Sequence, residues 1–373
     1  MNTKIPPLDL QAEFHEIRTE LLARTRRVFK SGRYVLGREV EEFEKRFCRF
    51  VGTRYALGVA SGSDALLLAL MALDVKPGDE VLTTPLTFIS TVTAIARLGA
   101  KPVFVDIDPG TLNLNPDLIQ RKLTRRARAI IPVHLYGNPC QMDAILSLAK
   151  RFGLFVIEDC AQACGATFRG KHVGSLSDFG AFSFYPTKTL GAIGDAGALT
   201  TNQKKLYEKV KSLHRHGEDG RDHSYHHTSI GVNSRLDEVQ AAILNVKIKH
   251  LAKWNQLRHK AAERYNQLIL EGTDKVKIPI ETPHSSPVYH QYVIRTPKRD
   301  QLLTHLRKQG IHAGIYYPAP IHLQPCFRYL GYRRGDCPVV EQVSREVLSL
   351  PLYPQIQPSQ QQFVVSKIKE FFV

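Results

Sequence analysis

The chain has 373 residues, 43% of them hydrophobic, and a formal charge of +16 from 51 Lys and Arg against 35 Asp and Glu. This length supports a large core and two domains rather than one, and the composition is that of a globular chain. It excludes a membrane-spanning helix, since no apolar run reaches the roughly 20 residues required. It also excludes a disulfide scaffold, since the six cysteines stand scattered at Cys48, Cys140, Cys160, Cys164, Cys326 and Cys337 without a CxxC pair.

The N-terminal MNTKIPPLDLQAEF has no apolar leader core, so the expected compartment is the cytoplasm, and no metal site is expected. A basic excess attracts nucleic acid, acidic membrane surfaces or anionic substrates. Here the basic residues are dispersed, and no aromatic-basic motif of a nucleic-acid module occurs. Neither nucleic acid nor membrane is therefore an expected partner. A basic nucleic-acid-binding protein without catalysis is the alternative from a different class.

From Tyr55 to about residue 200, strand and helix patterns alternate. YALGVASG is a short apolar strand ending in a turn of small residues, and SDALLLALMAL is a helix capped by Ser61 or Ser63. PGDEVLTTP is a turn and a strand; ISTVTAIARLG is a helix that ends at Gly99. KPVFVDID and RAIIPVHLYG are strands, MDAILSLAKRFG is a helix ending at Gly153, and LFVIEDCAQ is a strand with acids at its end. GAFSFYP and GALTTN are two further strands. Apolar strands separated by helices predict an α/β fold with a mostly parallel central sheet sandwiched by helices. Ligands of such folds sit beyond the carboxyl ends of the strands, which puts SGS, EDCAQ and the loop after FSFYP on one rim. From Arg235 one long helical pattern is expected to link a large domain (1–250) to a smaller C-terminal α+β domain (251–373). The latter carries the strand HQYVIR, the helix RDQLLTHLRKQG and the stretch YYPAPIHLQPCF.

Several positions on that rim carry chemistry. In ASGSDALLLAL, a strand, a small-residue turn and a helix N-terminus make an anion site, with Gly62 for close approach and Ser63 for a hydroxyl; a plain helix cap has the same letters. Asp159 ends an apolar strand, where a carboxylate needs a partner: a pyridinium nitrogen, an arginine, a metal or a structural salt bridge. Gln162 lies three residues on. In FSFYPTKTLGAIGDAG (182–197), Lys188 precedes the glycines. A P-loop needs lysine after them, and GxGxxG is absent, so a nucleotide loop is disfavoured. A lysine beside a pocket becomes a nucleophile when desolvation lowers its pKa, and lysine is the residue that forms a Schiff base with pyridoxal phosphate. Together these positions meet that cofactor's needs: Gly62, Ser63 and Ser183 for phosphate, Phe88 against the ring, Asp159 at the ring nitrogen, Lys188 for the imine. The histidine-rich stretch at 214–227 lacks a metal-site frame and reads as a polar loop near the active site.

The chain resembles the DegT/DnrJ/EryC1/StrS aminotransferases, fold-type I pyridoxal phosphate enzymes acting on nucleotide-linked keto sugars. The resemblance rests on SGRYVLGREVEEFE, VASGSDALLLAL, PVFVDIDP, IPVHLYG, VIEDCAQACGA, GSLSDFGAFSFYPTKTLGAIGDAGAL, GVNSRLDEVQAAIL and YYPAPIHLQPCF, which together span residues 31–327. It implies Lys188 as the cofactor-linked lysine and proton shuttle, Asp159 on the pyridinium nitrogen and Gln162 on the ring hydroxyl. It further implies Phe88 on the ring, and Gly62, Ser63 and Ser183 on the phosphate. Asn233 would reach the phosphate from a neighbouring subunit, which implies a homodimer with shared sites, and Arg235 would face substrate there. VYHQYVIR (288–295) and YPAPIHLQ (317–324) are similar to the 3-aminotransferases of dTDP-3-keto-6-deoxyhexoses, which makes Tyr317 and His322 sugar contacts. Tyr185, in FSFYPTKTLGAIGDAG, is expected to be a pocket wall. L-glutamate is the implied donor, and C4 amination of a UDP- or dTDP-4-keto sugar the alternative. Cys164 and the threonines of YPTKT depart from the usual pattern of relatives. Dehydratases of the family have lost the lysine that this chain keeps.

Overall fold

The structure, a computed structural model, describes residues 4–219 and 225–373. Its centre is a seven-stranded sheet. The strands are β1 (Tyr55–Val59), β2 (Glu80–Thr83), β3 (Lys101–Phe104), β4 (Ala127–Ile131), β5 (Phe155–Asp159), β6 (Phe179–Ser183) and β7 (Gly197–Thr201). Their order across the sheet is β1-β7-β6-β5-β4-β2-β3. Every pairing is parallel except those of β7, which runs against both its neighbours. The mostly parallel sheet is as expected.

Side chains alternate across each strand, so both faces need cover. On one face Leu57, Val59, Ile157, Ala181 and Leu199 pack under the helix Gly62–Ala72. That helix is buried continuously from Ala65 to Leu70, which is why ALLLAL lacks a polar side. Each leucine so buried stabilises the fold by about 1.5–3 kcal/mol. On the other face Phe182 of β6 meets Phe47 edge-on at 4.9 Å, and Phe184 meets Phe43 at 5.4 Å. Those partners come from the helix Arg38–Val51, whose buried stripe is Val40, Phe43, Phe47 and Val51. Of the two serines that could cap Gly62–Ala72, it is Ser61 whose Oγ accepts from the Asp64 N–H, at 3.1 Å. Gly99 and Gly153 adopt the left-handed conformation after their helices, as expected.

The single helix expected from Arg235 onward is instead two, Glu238–Lys247 and Leu251–Leu270. The joint between them closes with tighter bonds, from the Lys249 N–H to Val246 O at 3.2 Å and from the His250 N–H to Lys247 O at 2.9 Å. The physical reason is a change of partner. The first helix is buried beside the large sheet, whereas the second sends Ala261, Ala262, Tyr265 and Ile269 into a separate C-terminal core. That core includes an antiparallel pair, β8 (Tyr292–Arg295) and β9 (Val347–Leu350). Ile5 joins it, bridged to Ile311 through bonds of 2.9 and 3.0 Å. Trp254 is buried, with its indole N–H 3.2 Å from Glu16 Oε2, a structural role. Among the described residues no helix is long and apolar enough to cross a membrane.

Gly197 opens β7 directly against the turn that follows β1. A Cβ there would lie 2.4 Å from the Ser61 carbonyl carbon and 2.7 Å from the Gly62 nitrogen, both backbone atoms that cannot rotate away. Gly197→Ala is therefore expected to cost about 1–3 kcal/mol through overpacking. Chemical denaturation checks this, and an unchanged midpoint would contradict the packing of turn on strand.

Candidate active site

The carboxyl ends of β1, β5 and β6 and the start of β7 meet at one rim. There a cavity of about 580 Å³ opens, with Asp159, Lys188, Gly62, Ser63 and Ser183 in its wall. Asp159 is the last residue of β5 and is buried. Its Oδ1 accepts from the Ala161 N–H at 3.1 Å, and its Oδ2 from the Thr91 hydroxyl at 2.8 Å. Burial raises its pKa above the usual carboxylate range, against the opposing pull of Thr91, Ala161 and Lys188.

Lys188 sits on the loop joining β6 to β7, its N–H bonded to Tyr185 O at 2.8 Å. Surrounding protein strips water from the amine and lowers its pKa to about 8, although Asp159 draws it upward. The loop's glycines serve this tight path. A Cβ on Gly191 would stand 2.4 Å from Pro186 O.

Gly62 begins its helix where a Cβ would lie 2.7 Å from Ser183 Cβ, so only glycine lets β6 and the helix N-terminus approach this closely. Ser63 Oγ donates to Ser90 Oγ at 2.7 Å. The free N–H groups of the first helical turn and the hydroxyls of Ser63 and Ser183 thus face one corner, a cradle for a phosphate. Gln162 is held at both ends of its amide: Oε1 accepts from the Tyr136 N–H at 2.7 Å, and Nε2 donates to the Tyr317 hydroxyl at 3.1 Å. Phe88 presents a ring that is 55% exposed, its centroid 6.2 Å from that of Tyr317. Tyr185 and Tyr317 also line the cavity.

Three predicted residues stand apart. Asn233 is exposed and Arg235 half-buried, and neither borders this cavity. His322 is corrected outright as a sugar contact within this chain. The Ile321 N–H is tied to Pro85 O at 2.9 Å, and the short turn Ile321–Leu323 directs the imidazole inward. There its Nε2 lies 3.1 Å from Glu341 Oε1, between the rings of Phe104 and Tyr332. Of the histidine-rich stretch, residues 220–224 lie outside the described residues. Its described histidines do not line the cavity; His214 is buried with Nδ1 2.7 Å from Lys211 O, and desolvation lowers its pKa to about 4 against that hydrogen bond.

His134, Glu158 and Cys160 place one ligand-type atom each within 4.8 Å of one another. The polar atoms of His134 and Glu158 are engaged within the fold. Glu158 accepts from the Gly174 and Leu176 N–H groups at 2.8 and 3.0 Å, from the Ser177 hydroxyl at 3.0 Å and from His134 Nε2 at 3.1 Å. His134 Nδ1 accepts from the Cys140 N–H at 2.9 Å, which leaves Nε2 as the donor. Burial pushes the Cys160 thiol well above its ordinary range.

Sequence reasoning missed Thr87, Thr91, His290 and Gln291, which all line the cavity. The two threonines were findable as a pair four residues apart at a helix start. His290 lies in VYHQYVIR, whose letters mark the subgroup but give this residue no role; it is buried, Nδ1 has no partner among the described residues, and desolvation drives its pKa well down. Pro7 and Leu8 also reach the cavity, brought there by the docking of Ile5.

The donor set fits pyridoxal phosphate: a desolvated amine for its aldehyde, a buried carboxylate for its ring nitrogen, an anion cradle for its phosphate and an exposed aromatic face for its ring. Comparison with known proteins agrees. The model of the DegT/DnrJ/EryC1/StrS aminotransferase family matches residues 15–369. The chain is 47% identical over 369 residues to the "Pleiotropic regulatory protein" of Geobacillus stearothermophilus, covering 99% of this chain and 98% of that one. It is 42% identical over 368 residues to the dTDP-3-amino-3,4,6-trideoxy-alpha-D-glucose transaminase of Streptomyces venezuelae, covering 99% and 96%. The crystal structure of S. venezuelae DesV in complex with a ketimine intermediate superposes with a TM-score of 0.95 at 42% identity, covering 99% of this chain and 98% of that one.

A buried amine of lowered pKa is neutral above that value. In protein stripped of cofactor, acetylation of the Lys188 peptide is expected to rise through pH about 8. Surface lysines should follow only near 10. Mass spectrometry of the modified peptides reads this; a Lys188 midpoint equal to theirs would refute the desolvation argument.

Proposed function

The chain belongs to the DegT/DnrJ/EryC1/StrS aminotransferase family, and on that premise we propose that it transfers the amino group of L-glutamate to a nucleotide-linked keto sugar. The substrate we assign is a dTDP-3-keto-6-deoxyhexose, converted to its 3-amino sugar for deoxyamino-sugar or surface-polysaccharide synthesis. The cofactor is pyridoxal phosphate. The observation that carries the reading is one cavity holding a lysine whose desolvated amine has a lowered pKa beside a buried, hydrogen-bonded carboxylate.

Bound there, pyridoxal phosphate supplies an aldehyde that takes up an amino group and a ring that spreads the negative charge left by proton removal. The chain's residues do the rest. Lys188 Nζ, about half neutral at pH 8, is the base that would take the proton from the donor's α-carbon and carry it to the carbon that had been the cofactor's aldehyde. An Asp159 oxygen holds the proton on the ring nitrogen, the interaction that makes the ring an electron sink. Gly62, Ser63 and Ser183 bind the phosphate, Gln162 faces the ring hydroxyl, and Phe88 covers the ring. Tyr185 and Tyr317 bound the space left for the sugar. The excess of basic residues favours the anionic substrates of both half-reactions.

We assign the protein a homodimeric state, with Asn233 and Arg235 serving the cavity of the opposite copy. Support comes from large apolar side chains exposed on the cavity loops, Phe88 at 55%, Tyr185 at 52% and Ile193 at 59%. The position of Asn233 and Arg235 away from their own cavity agrees with this. The cysteines are free thiols, as a reducing compartment keeps them, and the cytoplasm is part of the reading.

Purified protein is expected to be yellow, and borohydride should fix the cofactor to the peptide that contains Lys188. Lys188→Ala should lower activity by at least roughly 10²–10⁴-fold, the share of a positioned proton carrier. A panel of nucleotide keto sugars with glutamate, read by mass and NMR, tests the substrate: amination at C4, or of UDP sugars alone, would replace our assignment. Light scattering should return twice the chain mass of 42.1 kDa.

A further inference from the structure

We propose that Thr87 and Thr91 are positioning residues for Asp159, forming a one-way hydrogen-bond chain that holds this carboxylate ionised and so sets how firmly the cofactor's ring nitrogen keeps its proton. The inference rests on the pyridoxal phosphate reading above and assigns two side chains that no part of that reading uses.

The direction of the chain follows from proton counting. Thr91 Oγ1 lies 2.8 Å from Asp159 Oδ2 and donates its only proton there. Thr87 Oγ1 lies 2.7 Å from Thr91 Oγ1, and with the Thr91 proton committed, Thr87 must be the donor. Both threonines are 1% exposed, so water does not substitute for either hydroxyl. Each bond polarises the next toward the carboxylate, which strengthens a charge-assisted interaction in a low-dielectric site.

The chain acts where it is needed. Apart from Thr91, the Asp159 carboxylate accepts only the Ala161 N–H at 3.1 Å among the described residues, and no arginine pairs with it. The titratable groups around it are Lys188, His134, Tyr317, Cys140 and Cys160. His134 is committed to Glu158, and the phenol and both thiols have their pKa values raised, chiefly by burial. Burial likewise pushes Asp159 toward its neutral form, and the Thr91 hydrogen bond is the largest opposing influence. A protonated Asp159 could not balance a protonated ring nitrogen. The position is also rigid. Thr91 lies in the helix Ser90–Arg97, and Thr83, four residues before Thr87, is tied to Ile131 O at 2.9 Å.

The experiment uses the holoenzyme. Thr91→Val keeps the shape and removes the hydroxyl; Thr91→Ser keeps the hydroxyl and removes the methyl. Loss of the hydroxyl should weaken the positive charge at the ring nitrogen, which makes the nitrogen joined to Lys188 less acidic. The pH midpoint of the visible absorbance change should therefore rise by about one unit in Thr91→Val, and the cofactor dissociation constant should rise about tenfold. Turnover should fall about tenfold with the sugar KM unchanged, and Thr91→Ser should restore all three. Thr87→Val should shift the midpoint the same way by less, and it carries the test with Thr87→Ser if circular dichroism shows Thr91→Val unfolded. A wild-type midpoint and dissociation constant in folded Thr91→Val, or a serine variant as displaced as the valine one, would overturn the proposal. Wild-type protein that takes up no pyridoxal phosphate would instead refute the parent reading.

Discussion

A carboxylate withdrawn from water at the end of a buried strand is the constraint around which this molecule is arranged. Such a group costs several kcal/mol unless hydrogen bonds or an opposite charge offset the loss of hydration. Asp159 receives one hydroxyl and one backbone N–H, with Lys188 across the cavity. The partial compensation has a chemical meaning. A fully satisfied acid has nothing left to offer a ligand, and an unsatisfied one would simply take up a proton. The parallel sheet supplies the geometry by ending several strands at one rim, and the reversed strand β7 brings the lysine loop back to it.

The neighbour of Asp159 shows the other outcome. Glu158 precedes it in β5, and alternation sends the two carboxylates to opposite faces. Glu158 collects four donors from backbone, serine and histidine and is sealed from solvent. It ties the loop after residue 172 and the segment around His134 to the strand. One acid holds the rim together so that the other can remain poised.

Much of this was legible from residue order. The apolar strands, the small-residue turn before ALLLAL and the acid after FVIE place Gly62, Asp159 and Lys188 on one rim because each position is dictated by its own few neighbours. Thr91 belongs to the same class of signal, a polar residue at helical spacing, but its partner lies 68 positions away and no local rule points there. His322 shows the limit of motif letters. PIHL looks like a loop reaching for a ligand, yet the proline and the bond to Pro85 turn the imidazole inward to Glu341. The break after Lys247 is similar. The helical pattern continues through it, and only the change from one core to the other requires a new axis.

The cavity wall is contributed by two separate apolar cores. The groups assigned to chemistry come from the large sheet, whereas Tyr316, Tyr317, His290, Gln291 and the end of β9 come from the C-terminal side. The two sides still share one buried cluster, where Leu86 and Phe104 pack with Val293 and Phe327. A drift in the C-terminal loops, or in the N-terminal segment at Pro7 and Leu8, reshapes the space offered to a sugar without disturbing Lys188 or Asp159. Such partition lets one scaffold diversify across many sugars while its reaction stays constant.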